Sequence, residues 1–408
     1  MSLEEFRRRC AAWFAASGCR AGSAPSRSRE PGAYVAAARA HQRGLADAGL
    51  VGITWPTEYG GLGLGPEARR VFDEEAAGFE TFSALFTIGL GMCGPVLLAL
   101  GSEEQRRRLL PPLLRADEVW CQLFSEPGAG SDLAALSTAA VPDGEGWRLR
   151  GQKVWTTYAH HSDRGLLLAR TDPDRPKHRG ITMFVVDMAA PGVTTRPLRQ
   201  ATGDAEFNEV FLDDVVVGPG DVVGSVDDGW RAATLMLANE RVALADRPIG
   251  SPVTLAAVVE LARAHGRADD PLVRRGVADA YVAEQQVDLF ARRIAGSQGE
   301  RSDGEAGPVR VGRDPGSLAS IGKLAAGRLA KQVAALALEI AGPDALAWDP
   351  ADPDGDLWAY GELYAPSLSI AGGTEQIQRT VLGERVLGLP REPAPDRDVP
   401  FRELRRSP

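Results

Sequence analysis

The 408-residue sequence predicts an α+β protein of several domains: a helical N-terminal domain, a small β-sandwich or barrel in the middle, and a C-terminal domain like a four-helix bundle. Apolar residues recur at helical spacing in the first and last thirds of the chain, whereas the middle third consists of short β-rich runs between Gly, Pro and Asp turns. The length also exceeds that of one ordinary hydrophobic core. We expect domains at 1–118, 119–228 and 229–390, followed by a tail at 391–408.

Composition restricts the class of partner. Hydrophobic residues make up 44% and charged residues 25% of the chain, as in soluble globular proteins. Lys and Arg number 46 against 55 Asp and Glu, and the net charge of −9 argues against a nucleic-acid partner. Local hydrogen-bond donors must therefore hold any polyanionic cofactor, because the overall field of the protein repels it.

The cysteines and the N-terminus predict a cytoplasmic location. The four cysteines are Cys10, Cys19, Cys93 and Cys121. They have no paired metal-ligand spacing, so we expect reduced thiols and no metal site. The first residues, with Glu4 and Glu5 before Arg7, lack the form of a secretory signal. No apolar run comes near the ~18 residues of a membrane span, so none is expected.

Residues 1–118 are expected to be helical, because Phe6, Cys10 and Phe14 recur at helical spacing and residues 34–50 repeat the pattern. A mobile link is expected at 20–32, which is rich in Ser, Arg, Gly and Pro.

Three more helices are expected before the middle domain. Two of them cover about 66–78 and 83–100. Ser102 is a candidate N-cap for the third, which we expect to end near Pro111 and Pro112 because proline lacks a backbone donor.

The middle and C-terminal domains differ in periodicity. The clearest strand-like runs are residues 147–150, 165–170, 181–186 and 209–212. Helical stripes then follow, one formed by Leu235, Ala238, Val242 and Ala245 and another by Leu329, Val333, Leu336 and Ile340. Residues 296–316 are expected to form an exposed loop. We expect the charged, Pro-rich tail after Pro390 to be disordered or packed on a neighbouring molecule.

The segment from Val119 to Thr157 is the first candidate site. An apolar run ends in Phe124 and Ser125, and a later run carries Trp155 and Thr157. A hydroxyl beside a large flat side chain, repeated on two strands, suits a planar heterocycle with an apolar face and a polar edge. Alternatively, Phe124 and Trp155 are core aromatics and the hydroxyls cap turns.

The motifs in this segment resemble those of the acyl-CoA dehydrogenase family. The matching stretches are Leu123–Asp132 and Gly151–Thr157, with further matches at Thr54–Gly61 and Gly372–Arg379, in family order over residues 1–391. The resemblance implies a flavin cofactor, FAD. It also implies residues that hold it, namely Gln122, Leu123, Phe124, Ser125, Trp155, Thr157, Thr374 and Gln376.

The resemblance assigns roles within this site. Trp155 would cover one side of the flavin ring, and Thr157 would donate to N5, the atom that accepts hydride. Fixed donors there stabilise the charge of the reduced ring. Ser131, Arg241 and Gly373 would contact the substrate. A helix cap is an equally open reading of Ser131, and ordinary solvation of Arg241.

The family also needs a carboxylate base for the α-proton of an acyl thioester, and an apolar cleft suits it because burial raises the carboxyl pKa. At the family's commoner position this chain has Gly372, which keeps only a backbone N–H to polarise the thioester. The resemblance to the subgroup with its base on the first long C-terminal helix implies Glu240. Glu375 is the reserve candidate. A surface ion pair is the alternative reading of Glu240.

The implied reaction converts an acyl thioester, carried by coenzyme A or an acyl carrier protein, to its α,β-unsaturated product. An external acceptor such as an electron-transfer flavoprotein would then take the electrons, and the subunits would form a homo- or hetero-tetramer, a dimer of dimers. A flavin oxidase or monooxygenase on the same fold is an alternative. A non-catalytic subunit of a heteromer is another.

Two departures from the family concern the pyrophosphate site of a neighbouring subunit. Residues 262–267 lack the usual Phe-Gly, and Glu339 stands where a neutral amide is expected. An unpaired carboxylate near two phosphates is unfavourable. We therefore expect that a second, related subunit completes the FAD site, which would leave fewer flavins than chains.

Overall fold

The structure, a computed structural model, divides into two compact units. It describes residues 1–20, 30–245, 251–299, 315–346 and 357–404. The first unit contains Met1–Met236 and Ala394–Pro408, and the second contains Leu237–Pro393. The predicted domain boundaries at 118, 228 and 390 stay predictions.

Helices occupy the first part of unit 1. They are α1 (Leu3–Ser17), α2 (Pro31–Asp47), α3 (Pro66–Ala76), α4 (Ser83–Ile88), α5 (Gly94–Leu100) and α6 (Glu103–Leu114). The predicted spacing of Phe6, Cys10 and Phe14 is confirmed, since all three are buried on one side of α1. Phe14 meets Phe72 of α3 with ring centroids 5.4 Å apart. Most of the predicted link at 20–32 lies outside the described residues.

Helix α6 confirms the predicted cap and corrects the predicted end. The Ser102 side chain accepts from the backbone of Gln105, whose side chain accepts in turn from the Ser102 N–H. The helix continues through Pro111 and Pro112 to Leu114. Both prolines lie in its last turn, where few backbone bonds are lost, and the buried side chains around them hold the turn in place.

The segment Ser83–Leu100 corrects the statement that no apolar run comes near the length of a membrane span. It has 18 mostly apolar residues, so by length and composition it could cross a membrane. Core helices pass the same test, and 44% of this segment is buried within the protein. It is also not one regular helix, because a π-helical turn at Gly89–Cys93 separates α4 from α5.

The middle of the chain forms one eight-stranded sheet. Its strands are β1 (Trp120–Leu123), β2 (Ala139–Asp143), β3 (Gly146–Thr157), β4 (Arg164–Arg170), β5 (Ile181–Asp187), β6 (Val193–Leu198), β7 (Phe207–Val217) and β8 (Val222–Val223). The order is β6-β7-β3-β2-β4-β5-β8, and β1 pairs with β4. The β1–β4 pairing is parallel, whereas β3 pairs antiparallel with both β2 and β7. The four strand-like runs of the sequence are therefore confirmed.

The core of the sheet comes from alternating apolar residues. Its fully buried members include Cys121, Leu149, Phe184, Val210 and Val215. These five residues come from four strands, with Val210 and Val215 both on β7, so the cluster joins β1, β3, β5 and β7 into one packed layer.

Helices return after the sheet. They are α7 (Gly229–Ala245), α8 (Leu255–Ala264), α9 (Pro271–Gly299), α10 (Pro315–Ala341), α11 (Leu357–Tyr364) and α12 (Glu375–Val381). The division between the two units falls inside α7. In α10, the predicted stripe is confirmed by burial of Val333, Leu336 and Ile340 against α8 and α9. The order of helical, β and helical parts is as the sequence predicts.

Two predictions on irregular segments need correction. The loop expected at 296–316 is shorter at both ends, because α9 reaches Gly299 and α10 begins at Pro315. Residues 300–314 lie outside the described part of the chain. The tail was expected to be disordered or packed on a neighbouring molecule. Its residues from Ala394 to Leu404 instead pack in unit 1, where Phe401 is buried.

Candidate active site

The end of β1 and the residues directly after it are bound to strand β3. Leu123 and Phe124 are buried, whereas Gln122 and Ser125 are partly exposed. The Val154 N–H of β3 donates to the Ser125 carbonyl at 2.9 Å. The two motifs of the candidate flavin site are therefore hydrogen-bonded to each other.

A buried ion pair strengthens this connection. The Lys153 ammonium donates to the Phe124 carbonyl at 3.0 Å and to the Glu126 carboxylate at 2.8 Å, and both side chains are buried. Glu126 also accepts from the backbone N–H groups of Ser137 and Thr138, at 2.7 and 2.9 Å. Burial alone would raise the pKa of Glu126, but the charge and hydrogen bond of Lys153 and these donors lower it to about 2.

Trp155 has an unusual backbone. The register between β3 and β7 shifts between Lys153 and Thr156, and Trp155 at this irregularity has φ of 61°. Its indole is 61% exposed, while its neighbours Val154 and Thr156 are buried. A left-handed backbone is costly for a bulky residue and is typically retained at functional sites. The β-bulge turns a large flat side chain away from the core.

Thr157 and Tyr158 follow directly. Thr157 is partly exposed and pairs with Phe207 of β7, whose ring meets Trp155 edge-on at 6.1 Å between centroids. The Tyr158 hydroxyl donates to Glu206 at 2.9 Å. The structure therefore brings together Phe124, Ser125, Trp155 and Thr157 as expected. Phe124 is a core aromatic, as in the alternative reading, but Trp155 is not.

In unit 2, the Gly-Gly turn is bound through its carbonyls. Gly372 and Gly373 have φ of 66° and 89°, which favours glycine. Gln378 donates to their carbonyls at 3.0 and 3.2 Å, and Lys323 of α10 also donates to the Gly373 carbonyl. Because a trans peptide directs its N–H opposite to its C=O, the amides of Gly373 and Thr374 point away from these donors.

Glu375 is engaged and is a poor candidate for the base. It accepts from Lys331 at 2.8 Å, Ser369 at 2.9 Å and Arg379 at 2.9 Å. The hydrogen bonds from Lys331 and Ser369 lower its pKa to about 2. A carboxylate with so low a pKa is a weak proton acceptor near neutral pH.

Other predicted residues are located as follows. Thr374 caps α12 by accepting from the Ile377 N–H, and Gln376 is exposed on that helix. Glu240 and Arg241 belong to α7, but their side chains lie outside the described residues. Ser131 is exposed in the turn after the first motif. No cluster of metal-ligating side chains occurs in the described ranges.

The two departures from the family lie close together. Glu339 is exposed on α10, and its carbonyl accepts from the Arg267 guanidinium at 2.6 Å. Arg267 also pairs with Asp270 at 2.9 Å. Glu339 is therefore on the surface of unit 2, next to the segment that lacks the family's Phe-Gly.

Sequence reasoning missed Glu126 and Lys153, although both lie inside the quoted motifs. A lysine between Gln152 and Val154 in a strand was a possible signal, since a charged residue at an inward position needs a partner. Its partner could not be identified without the β1–β3 geometry.

Comparisons with known proteins show the family of this chain. Profiles of the acyl-CoA dehydrogenase N-terminal, middle and C-terminal domains match residues 7–117, 121–215 and 227–387. Acyl-CoA dehydrogenase IpdE1 of Mycobacterium tuberculosis is 39% identical over 87% of this chain and 88% of its own length. Acyl-CoA dehydrogenase FadE34 of the same organism is 44% identical over 86% of this chain, which spans only 46% of that relative.

Two solved structures have the same fold as this chain. The Tcur3481-Tcur3483 steroid ACAD has a TM-score of 0.77 at 27% identity and covers 96% of this chain and 98% of its own. The ChsE4-ChsE5 complex from Mycobacterium tuberculosis has a TM-score of 0.75 at 28% identity, with coverage of 96% and 98%. The chain therefore belongs to the acyl-CoA dehydrogenase family, whose members are flavoprotein oxidoreductases acting on CH–CH bonds.

Proposed function

We propose that the protein dehydrogenates an acyl-CoA thioester to its α,β-unsaturated product with FAD as cofactor. One observation carries the proposal: the exposed indole of Trp155, held in a left-handed backbone at a β-bulge. Unit 1 gains little stability from a ring that is 61% exposed, so the position is better explained by a ligand that covers it.

The residues present fit an isoalloxazine ring. Trp155 offers an apolar face, and Ser125 and Thr157, which both carry a hydroxyl, are partly exposed on the two segments joined by the Lys153–Glu126 pair. We assign Gln122, Leu123, Phe124, Ser125, Trp155 and Thr157 to the ring, and Thr374 and Gln376 to the cofactor. When bound, FAD supplies the acceptor for the β-hydride.

The chain itself supplies the proton chemistry. We assign the removal of the α-proton to Glu240 on α7, because Gly372 has no side chain and Glu375 is held by three donors. Arg241 and Gly373 are assigned to the substrate, and Ser131 to the carrier arm. The Gly372 backbone N–H is assigned to the thioester carbonyl, where a fixed donor stabilises the developing charge.

The assembly is proposed to contain a second, related subunit. Glu339 is exposed and occupies the family's pyrophosphate-contact position. A second copy of this chain is therefore expected to bind the FAD pyrophosphate of its neighbour weakly. Two solved relatives, the Tcur3481-Tcur3483 steroid ACAD and the ChsE4-ChsE5 complex, are named as pairs of proteins, and FadE34 is about twice as long as the part this chain matches. A tetramer, a dimer of dimers of either one or two kinds of subunit, accommodates these features.

Two experiments test the proposal. Stopped-flow flavin bleaching is measured against straight-chain, branched and steroid side-chain thioesters of coenzyme A and of acyl carrier protein. The proposal expects reduction by at least one coenzyme A thioester within a catalytic turnover, and loss of bleaching with all of them would contradict it. Rapid reoxidation by oxygen would favour the oxidase alternative, whereas reoxidation by an electron-transfer flavoprotein agrees with the dehydrogenase.

The location proposed is the cytoplasm, where reduced thiols persist. Cys10, Cys93 and Cys121 are buried free thiols, and Cys19 is a partly exposed one. Labelling of free thiols in freshly lysed cells checks this.

A further inference from the structure

The C-terminal segment packs on unit 1 although it lies beyond residue 387, where the last family profile ends. We name residues 394–404 the C-terminal strap. The Phe401 N–H donates to the Arg175 carbonyl at 2.9 Å, and the Arg402 N–H donates to the Pro173 carbonyl at 3.0 Å. Pro400 forms a bridge with Pro176. The strap is therefore bound to the loop between β4 and β5.

Phe401 covers a buried guanidinium. The ring is 5% exposed, and the Arg170 guanidinium lies 3.9 Å from its centroid. Arg170 donates to the carbonyls of Lys177 and Arg179 at 3.0 and 2.9 Å, and to the Ala134 carbonyl at 2.7 Å. A cation against an aromatic face is stabilised most when it is desolvated. Phe401 therefore keeps water from the group that joins the β4–β5 loop to the turn after Ser131.

Lys177 makes a second connection between the strap and that turn. Its ammonium pairs with Asp132 at 2.9 Å and with Asp396 of the strap at 3.4 Å. Asp132 directly follows Ser131, to which we assign the carrier arm. One ammonium therefore links the strap to the residue next to the proposed arm contact.

We propose that the C-terminal strap holds the turn at residues 130–136 in the conformation that binds the carrier arm of the thioester, with Phe401 and Asp396 as positioning residues. The inference rests on the proposed function through Ser131. The strap contacts the turn and not the reacting atoms, so its loss is expected to raise KM with kcat unchanged, which is the pattern of lost uniform binding.

The test compares Phe401→Ala with Phe401→Tyr in the FAD-loaded full-length protein, using coenzyme A as the probe in titration calorimetry. Phe401→Ala is expected to raise the dissociation constant of coenzyme A about tenfold, whereas Phe401→Tyr, which keeps the ring over Arg170, stays within about twofold. Asp396→Asn is expected to raise it about threefold, and Asp398→Asn, an exposed change on the same strap, to leave it unchanged.

Hydrogen–deuterium exchange separates the strap from the proposed function. Phe401→Ala is expected to speed amide exchange at residues 132–138 and 171–180, but not in β7. Unchanged amide exchange in the turn would overturn the proposal that the strap holds it. Faster exchange with unchanged coenzyme A affinity would overturn the assignment of the turn to the carrier arm. If the unaltered protein binds no coenzyme A, the proposed substrate is wrong, and exchange alone then decides on the strap.

Discussion

Trp155 contributes more to a ligand site than to the stability of its own domain. Its indole is 61% exposed and touches Phe207 only edge-on, so truncation removes little buried surface. Trp155→Ala is expected to weaken FAD binding about tenfold, since an aromatic contact of this kind contributes about 1 kcal/mol or more. The melting temperature of the apoprotein is expected to stay within about 2 °C.

Fluorescence titration of the apoprotein with FAD and a thermal melt measure these two quantities. Val216→Ala is the matched control, because Val216 is an exposed apolar residue of the same sheet. An unchanged FAD affinity in Trp155→Ala would remove the main support for the ring site.

Replacement of Lys153 is expected to lower the free energy of unfolding strongly, because the residue is the buried partner of a buried carboxylate. Lys153→Met leaves the Glu126 carboxylate buried without its cation, which typically costs about 3–5 kcal/mol of unfolding free energy. Restoring neutrality in Lys153→Met/Glu126→Gln should recover part of this loss. Urea unfolding of the two single variants and the double variant measures the coupling. If the double variant is as unstable as the sum of the single variants, the pair carries no coupling energy.

The same pair predicts an acid dependence. The folded pKa of Glu126 is about 2 and its ordinary value is 4.5, so its contribution to stability is present above pH 4.5 and is lost as pH falls towards 2. The free energy of unfolding is therefore expected to fall over this range, and Glu126→Gln to flatten the fall. Urea midpoints between pH 5 and pH 2.5 measure it. An equal slope in both proteins would contradict the assignment.

At this scale the sequence predicts residue types better than backbone shape. Phe124, Ser125, Trp155 and Thr157 were found from two motifs, and the structure brings them together. The left-handed φ of Trp155 was not predictable, because it depends on a register shift against β7 that no local pattern encodes.

The packing of the α4–α5 segment, more than its composition, shows its role in the fold. Its composition would suit a membrane span, yet Gly94 at the start of α5 packs against the Trp55 indole. A Cβ added at Gly94 would lie 2.1 Å from the nearest ring carbon of Trp55. Gly94→Ala is therefore expected to lower the free energy of unfolding by about 1–3 kcal/mol through overpacking. Gly220→Ala, where a Cβ meets nothing, is the control.

Chemical denaturation of both glycine variants measures this difference. Equal stability of Gly94→Ala and the unaltered protein would mean that α5 does not pack on Trp55. The mistaken expectation for α6 has a related cause, since burial of Leu113 and Leu114 holds a helical turn that its prolines disfavour.

At the scale of the whole molecule, the periodicity of the apolar residues predicted the helical, β and helical parts, and four motifs in family order agreed with it. The C-terminal strap was not predictable, because a charged, Pro-rich segment has little pattern of its own and is held by contacts with a distant loop. Charge also acts at this scale. With a net charge of −9, the proposed binding of FAD and coenzyme A would depend on local donors acting against the overall field.

The number of flavins per chain tests the proposed assembly. If this chain contributes poorly to a partner's pyrophosphate site, the purified chain alone is expected to hold well under one FAD per protomer. Glu339→Gln should raise that value, because it removes an acid near the phosphates. Absorbance of released flavin against protein mass measures it. Full occupancy in a homotetramer would remove the need for a second subunit.

The central claim is that this chain removes the α-proton itself, through Glu240. Its most direct test is the single-turnover rate of flavin reduction by an acyl-CoA thioester in Glu240→Gln, with Glu260→Gln on the exposed face of α8 as control. The account predicts a rate at least about 100-fold lower in Glu240→Gln, with FAD content unchanged, and an unaltered rate in the control. A rate of flavin reduction in Glu240→Gln equal to that of the unaltered protein would contradict it.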